Sequence, residues 1–107
     1  MSKRRDAFAA LADPTRRAIL DLLRNSAIMT AGEIAARFPR VSRAAVSKHL
    51  RVLREARLVH AQERGREWHY SLDARPLAMV YREWLEAFAP QMEESLGRLK
   101  RQVEEGS

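Results

Sequence analysis

The chain predicts a mainly α fold carrying one β-hairpin, and three observations support that expectation. Apolar residues recur at helical spacing up to Leu58 and again beyond Pro76. Between these stretches, residues 59–72 alternate apolar with polar around a glycine. The connection Pro39-Arg40-Val41 between two consecutive helical segments is so short that the second must turn sharply against the first. The expected architecture is a winged helix-turn-helix. At 107 residues it is a single domain, 1–107, in which 1–12 form an N-terminal helix, 13–75 the winged core and 76–107 the C-terminal helices.

The elements follow in order. Ala7 to Leu11 makes a short helical turn with Phe8 and Leu11 on one side. Asp13-Pro14 starts the next helix, because Asp accepts from free first-turn N–H groups and proline is pre-set for the first helical position. That helix carries Ala18, Ile19, Leu22 and Leu23 at core spacing, and Asn25-Ser26 stops it. Thr30-Ala31-Gly32-Glu33 fits a capping box, opening a short helix through Ile34 and Ala35 to Phe38, closed by Pro39.

The stretch from Val41 to Leu58 is the one that the others support. Helical from an N-cap at Ser42, it groups Val46, Leu50 and Leu53 on one face and Ala44, Ser47, Lys48, Arg51 and Glu55 on the opposite one. Small residues at the start of a helix allow close approach to a groove of DNA, and cations along it donate to base edges and phosphates. An ordinary solvated amphipathic helix has the same periodicity, so its neighbours must decide.

In the hairpin, a two-residue loop at Arg64-Gly65 sets Val59 opposite Tyr70 and Ala61 opposite Trp68, and a one-residue slip would mix the faces. That register also places His60 across from His69. Arg64 and Arg66 at the tip suit a phosphate or the minor groove, and equally suit a solubilising turn. Beyond Pro76, an amphipathic segment runs through Leu77, Tyr81, Trp84, Leu85, Phe88 and Met92, then Leu96, Leu99 and Val103, with a kink or a break into two helices expected at Pro90. This is more apolar surface than the domain can bury alone. A second copy of the chain, related by a two-fold axis, is the simplest cover; folding back onto its own domain is the alternative.

Charge supports a polyanionic partner. The net charge is +6, and residues 37–67 carry all of that excess, with nine Arg and Lys against three Glu. The flanks balance near zero. A basic central third is the footprint of nucleic-acid binding. The absence of cysteine excludes disulfides, thiolate metal sites and thiol redox sensing. No apolar run is long enough to span a membrane and no secretory signal is evident, which points to a cytoplasmic protein. There is no nucleophile-base arrangement, phosphate-cradling glycine loop or paired carboxylate in an apolar setting, so no enzyme activity and no cofactor are expected.

In order and spacing, Phe8-Ala9-Ala10-Leu11-Ala12-Asp13-Pro14-Thr15-Arg16-Arg17 with Ile19-Leu20, Glu33-Ile34-Ala35, Ser42-Arg43-Ala44-Ala45-Val46-Ser47-Lys48-His49-Leu50 with Val52-Leu53, Leu58-Val59, Gly65-Arg66 and Tyr70 closely resemble the ArsR family of bacterial winged-helix repressors. The resemblance spans residues 7 to 88. It implies a homodimer built from the first and last helices, through Phe8, Leu11, Leu77, Tyr81, Trp84, Leu85, Phe88 and Met92, that binds an imperfect palindrome in double-stranded operator DNA. By the same likeness Ser42, Arg43, Ala44, Ser47, Lys48, His49 and Arg51 match the family's recognition helix. His49 lies at the flank of the buried stripe, where reaching a phosphate and packing at a helix junction are both open.

Two departures from the family stand out. The cysteines and the carboxylate-histidine set through which many members sense metals are missing: Gly32-Glu33-Ile34-Ala35-Ala36-Arg37 occupies the first position, and the last helix has Glu83 and Glu86 but no histidine. No metal site is therefore expected, and the effector stays open. Arg57 stands where the family usually has glycine, which predicts a slightly altered helix end rather than a different fold. The competing function is a winged-helix module that uses its basic face to bind an acidic protein.

Overall fold

The computed structural model describes residues 3–105, and the side chains of residues 7–91 and 93–103 within them. Helices α1 (Lys3–Leu11), α2 (Pro14–Ser26), α3 (Ala31–Ala36), α4 (Arg43–Glu55) and α5 (Arg75–Glu105) enclose a sheet of β1 (Ile28–Thr30), β2 (Val59–Arg64) and β3 (Glu67–Leu72). The sheet is antiparallel in the order β1-β3-β2. The domain is therefore mainly helical with a hairpin wing, as expected.

Local chemistry sets the helix starts. The Asp13 carboxylate accepts from the amides of Thr15 and Arg16 at 2.8 and 3.1 Å, ahead of Pro14. At α3 the Thr30 hydroxyl accepts from the Glu33 amide at 3.1 Å while the Glu33 carboxylate accepts from the Thr30 amide at 3.2 Å, completing the capping box. Ser42 Oγ accepts from the Ala45 amide at 3.0 Å to open α4. The buried residues of these helices, Ile19, Leu23, Ile34, Val46, Leu50 and Leu53, meet Leu58, Val59 and Tyr70 in one core.

Four expectations need correction. The hairpin register is displaced by two: Val59 pairs with Leu72, Ala61 with Tyr70 and Glu63 with Trp68, leaving Gly65-Arg66 as the loop. Only Gly65 of that loop has positive φ, at 63°, as a type II′ turn demands of its first central residue. A shift of two preserves which side chains face inward, so polarity alternation cannot separate the two registers. His60 consequently lies across from Ser71, and His69 across from Gln62, so the two histidines are not partners.

The third strand, β1, leaves no signal in the sequence. Three residues are too few to display alternation, and only Met29 of them is buried. Ala27, at φ 60° and ψ −70°, turns the chain out of α2 into this strand. Nor does Pro90 divide the C-terminal segment: α5 runs unbroken for 31 residues and gives the molecule its 63 Å long axis.

The end of α4 is not altered by Arg57. That residue takes φ 63°, its amide donates to the Arg54 carbonyl and the Leu58 amide donates to the Leu53 carbonyl, both at 3.0 Å. These are the two bonds of a Schellman cap, made with arginine in the left-handed position that favours glycine.

Candidate nucleic-acid interface

Helix α4 buries Val46, Leu50 and Leu53 and turns Ser42, Arg43, Ala44, Ser47, Lys48 and Arg51 to the exterior. Burial of one stripe thus fixes the orientation of the other. Ala44 and Ser47 keep the leading part of the outer face shallow, with Lys48 and Arg51 projecting behind them. Among the described residues, no carboxylate pairs with Arg43, Lys48, Arg51, Arg64 or Arg66. An exposed row of cations without internal counter-charges is suited to a polyanion, because binding neutralises charge that the fold leaves uncompensated.

The wing is tied to this helix. The Arg54 guanidinium carbon sits 5.5 Å from the ring centroid of Trp68, joining α4 to β3 by a cation-π contact. Arg64 ends β2 and Arg66 stands in the loop, both exposed, so the tip carries two cations. The sequence does not announce that Arg54 and Trp68 meet, since their contact depends on the register of the hairpin.

His49 takes the inward of its two open outcomes. Its side chain is 17% exposed, with Nδ1 3.3 Å from the Arg16 guanidinium and 4.0 Å from the Asp13 carboxylate. It packs at the junction of α2 and α4, on the flank of the exposed cations. The Asp13 carboxyl is held below the usual carboxylate range, chiefly by the Arg16 amide.

At the other end of the wing His60 Nε2 lies 3.1 Å from the buried Asp73 carboxylate, which Arg75 grips through Nε at 3.0 Å and an Nη at 2.8 Å. His69 lies 3.8 Å from Glu67. Among the described residues, no three His, Asp or Glu side chains converge as a metal site would require.

Away from the basic face, Phe8, Leu11, Ala74, Leu77, Ala78, Val80, Tyr81 and Trp84 line an apolar groove of about 610 Å³ between α1 and α5. Tyr81 is 64% and Trp84 53% exposed, and Trp84 meets Phe88 edge-on with ring centroids 5.3 Å apart. Leu85 is half-buried; the side chain of Met92 lies outside the described residues. No helix among the described residues is long and apolar enough to cross a membrane.

Comparison with known proteins agrees with this geometry. Residues 11–62 match the model of a helix-turn-helix domain family. The transcriptional repressor SdpR of Bacillus subtilis is 42% identical over 72 residues, covering 67% of this chain and 78% of the repressor. The HTH-type transcriptional regulator Rv2034 of Mycobacterium tuberculosis is 49% identical over 74 residues, 69% of this chain and 67% of that protein. Among solved structures, an ArsR-like transcriptional regulator from Rhodococcus sp. RHA1 superposes with a TM-score of 0.74 at 35% identity, covering 96% of this chain and 92% of the other. Relatedness over most of both chains, the helix-turn-helix with its wing and the exposed cationic face of α4 lead to one assignment: the chain belongs to the ArsR family of winged helix-turn-helix transcriptional regulators, which are not enzymes.

Proposed function

We propose that the protein is a repressor that binds a palindromic operator in double-stranded DNA as a homodimer. The observation that carries this reading is the uncompensated cationic face of α4 behind small leading residues. Each copy lays Ser42, Arg43, Ala44, Ser47, Lys48 and Arg51 in a major groove and brings Arg64 and Arg66 to the adjacent backbone. The half-sites lie about one helical turn apart, as for other helix-turn-helix dimers. The two copies join through the groove between α1 and α5, which buries Phe8, Leu11, Leu77, Tyr81, Trp84, Leu85 and Phe88. This layout gives the terminal helices to dimerisation and residues 13–75 to DNA binding. It uses neither metal nor cofactor.

The test is a double substitution, Lys48→Ala with Arg51→Ala, in protein whose circular dichroism and association state are unchanged. Binding to a selected duplex should weaken, and the slope of log affinity against log salt should become shallower by about two, roughly one for each phosphate that is no longer neutralised. Unchanged affinity and slope would remove α4 from the DNA.

A further inference from the structure

Arg16 occupies the place where three helices meet. It belongs to the first turn of α2, next to the Asp13-Pro14 start. Its Nε donates to the Ala10 carbonyl at 2.8 Å and one Nη to the Ala9 carbonyl at 3.1 Å. Both carbonyls are in the last turn of α1, where the helical ladder runs out; that of Ala9 also accepts from the Ala12 amide at 3.2 Å. Arg17 closes the same end by donating to the Leu11 carbonyl at 2.7 Å. The remaining Nη of Arg16 faces His49 Nδ1 at 3.3 Å, inside α4. With the His49 proton assigned to Nε2, Nδ1 is the acceptor of that bond. A planar guanidinium with five donors can serve three acceptors on two helices at once, which a lysine ammonium on a flexible stem would not hold in fixed directions.

The two helices so joined have different tasks. Helix α1 packs on α5 and contributes Phe8 and Leu11 to the apolar groove, whereas α4 carries the cationic face. We propose that Arg16 is a positioning residue for operator recognition: through the α1 carbonyls and His49 it sets the angle between the dimerisation layer and the reading helix, and thereby the half-site spacing that the protein accepts. The inference rests on the dimeric operator reading given above. Arg16 touches no DNA in this scheme. Its effect is on geometry, because one added base pair displaces a half-site by about 3.4 Å and roughly a tenth of a turn, a mismatch that only a stiff dimer resists.

The experiment compares a palindrome selected by the native protein with the same duplex lengthened or shortened by one central base pair, and with a duplex holding a single half-site. Native protein should lose about 10-fold or more in affinity when the spacing changes, the scale of a base-pair mismatch. Arg16→Met keeps the aliphatic stem and removes the donors; its penalty should shrink to about 3-fold or less, with the single half-site affinity and the dimer retained. His49→Leu should relax the spacing in the same way, and the double variant should add little to either alone, as for two groups that act through one shared bond. The proposal is overturned by an unchanged spacing penalty in both variants, or by an equal loss on the single half-site and on every spacing, which would mark local damage to the fold. A native protein that is monomeric or indifferent to spacing would instead sink the dimeric reading itself, on the native protein alone.

Discussion

The amide of Leu58 donates to the carbonyl of Leu53 at 3.0 Å, and the chain achieves this by placing Arg57 between them at φ 63°. A side chain in that conformation crowds its own backbone, at a cost of about 1 kcal/mol relative to glycine. Arg57→Gly should therefore stabilise the protein by about 1 kcal/mol and raise Tm by roughly 4–8 °C for a domain of this size. Arg57→Ala should gain much less, since alanine retains the Cβ. Thermal and urea unfolding of the two variants check the difference.

The capping box at α3 makes a second case. Thr30→Ala removes the acceptor for the Glu33 amide and leaves β1 paired with β3, so it should cost about 1 kcal/mol without changing the sheet. Thr30→Ser keeps a hydroxyl and should recover most of that loss. Chemical denaturation with unchanged slope is the measurement.

Acid should weaken the start of α5. Asp73 accepts from the Arg75 guanidinium and the Arg75 amide, with His60 beside it, and its carboxyl is lowered from 3.8 to about 2. In the unfolded chain the group regains its ordinary value and takes up a proton first. Its contribution is therefore present above the ordinary value of 3.8 and lost as pH falls toward 2. Stability measured across that interval should fall less steeply in Asp73→Asn than in the native protein.

Trp84 is the most direct probe of the proposed self-association. Trp84→Glu places a charge in the apolar surface that it shares with Tyr81 and Phe88, and desolvating that charge opposes association with a second copy. Dissociation should strengthen by on the order of 30-fold or more, seen by sedimentation. The helical circular dichroism should persist, because the side chain is already half in water.

The parts that can be read from the sequence are those set by local chemistry or by one long period. Asp13-Pro14, Thr30 with Glu33, and Ser42 all begin helices through bonds to their own first turns, and the Val46, Leu50, Leu53 stripe decides which side of α4 faces out. The hairpin is legible as a hairpin but not in register, since pairing Ala61 with Tyr70 or with Trp68 leaves the same side chains inside. Strand β1 needs the edge of β3 to exist at all. His49 and Arg16 are separated by 33 positions, and nothing in either local pattern announces that they meet. Arg57 suggests a perturbed cap, yet the two backbone bonds together hold the conformation that its side chain disfavours.

The order β1-β3-β2 has a consequence for how the protein behaves when crowded. Its central strand is paired with β2 along its whole length and with β1 at His69, Tyr70 and Ser71, which leaves β1 and β2 at the edges. One is three residues long and the other ends in Gln62, Glu63 and Arg64, all exposed. A stub and a charged border are poor templates for a foreign strand, so the sheet is ill suited to recruiting neighbours into fibres.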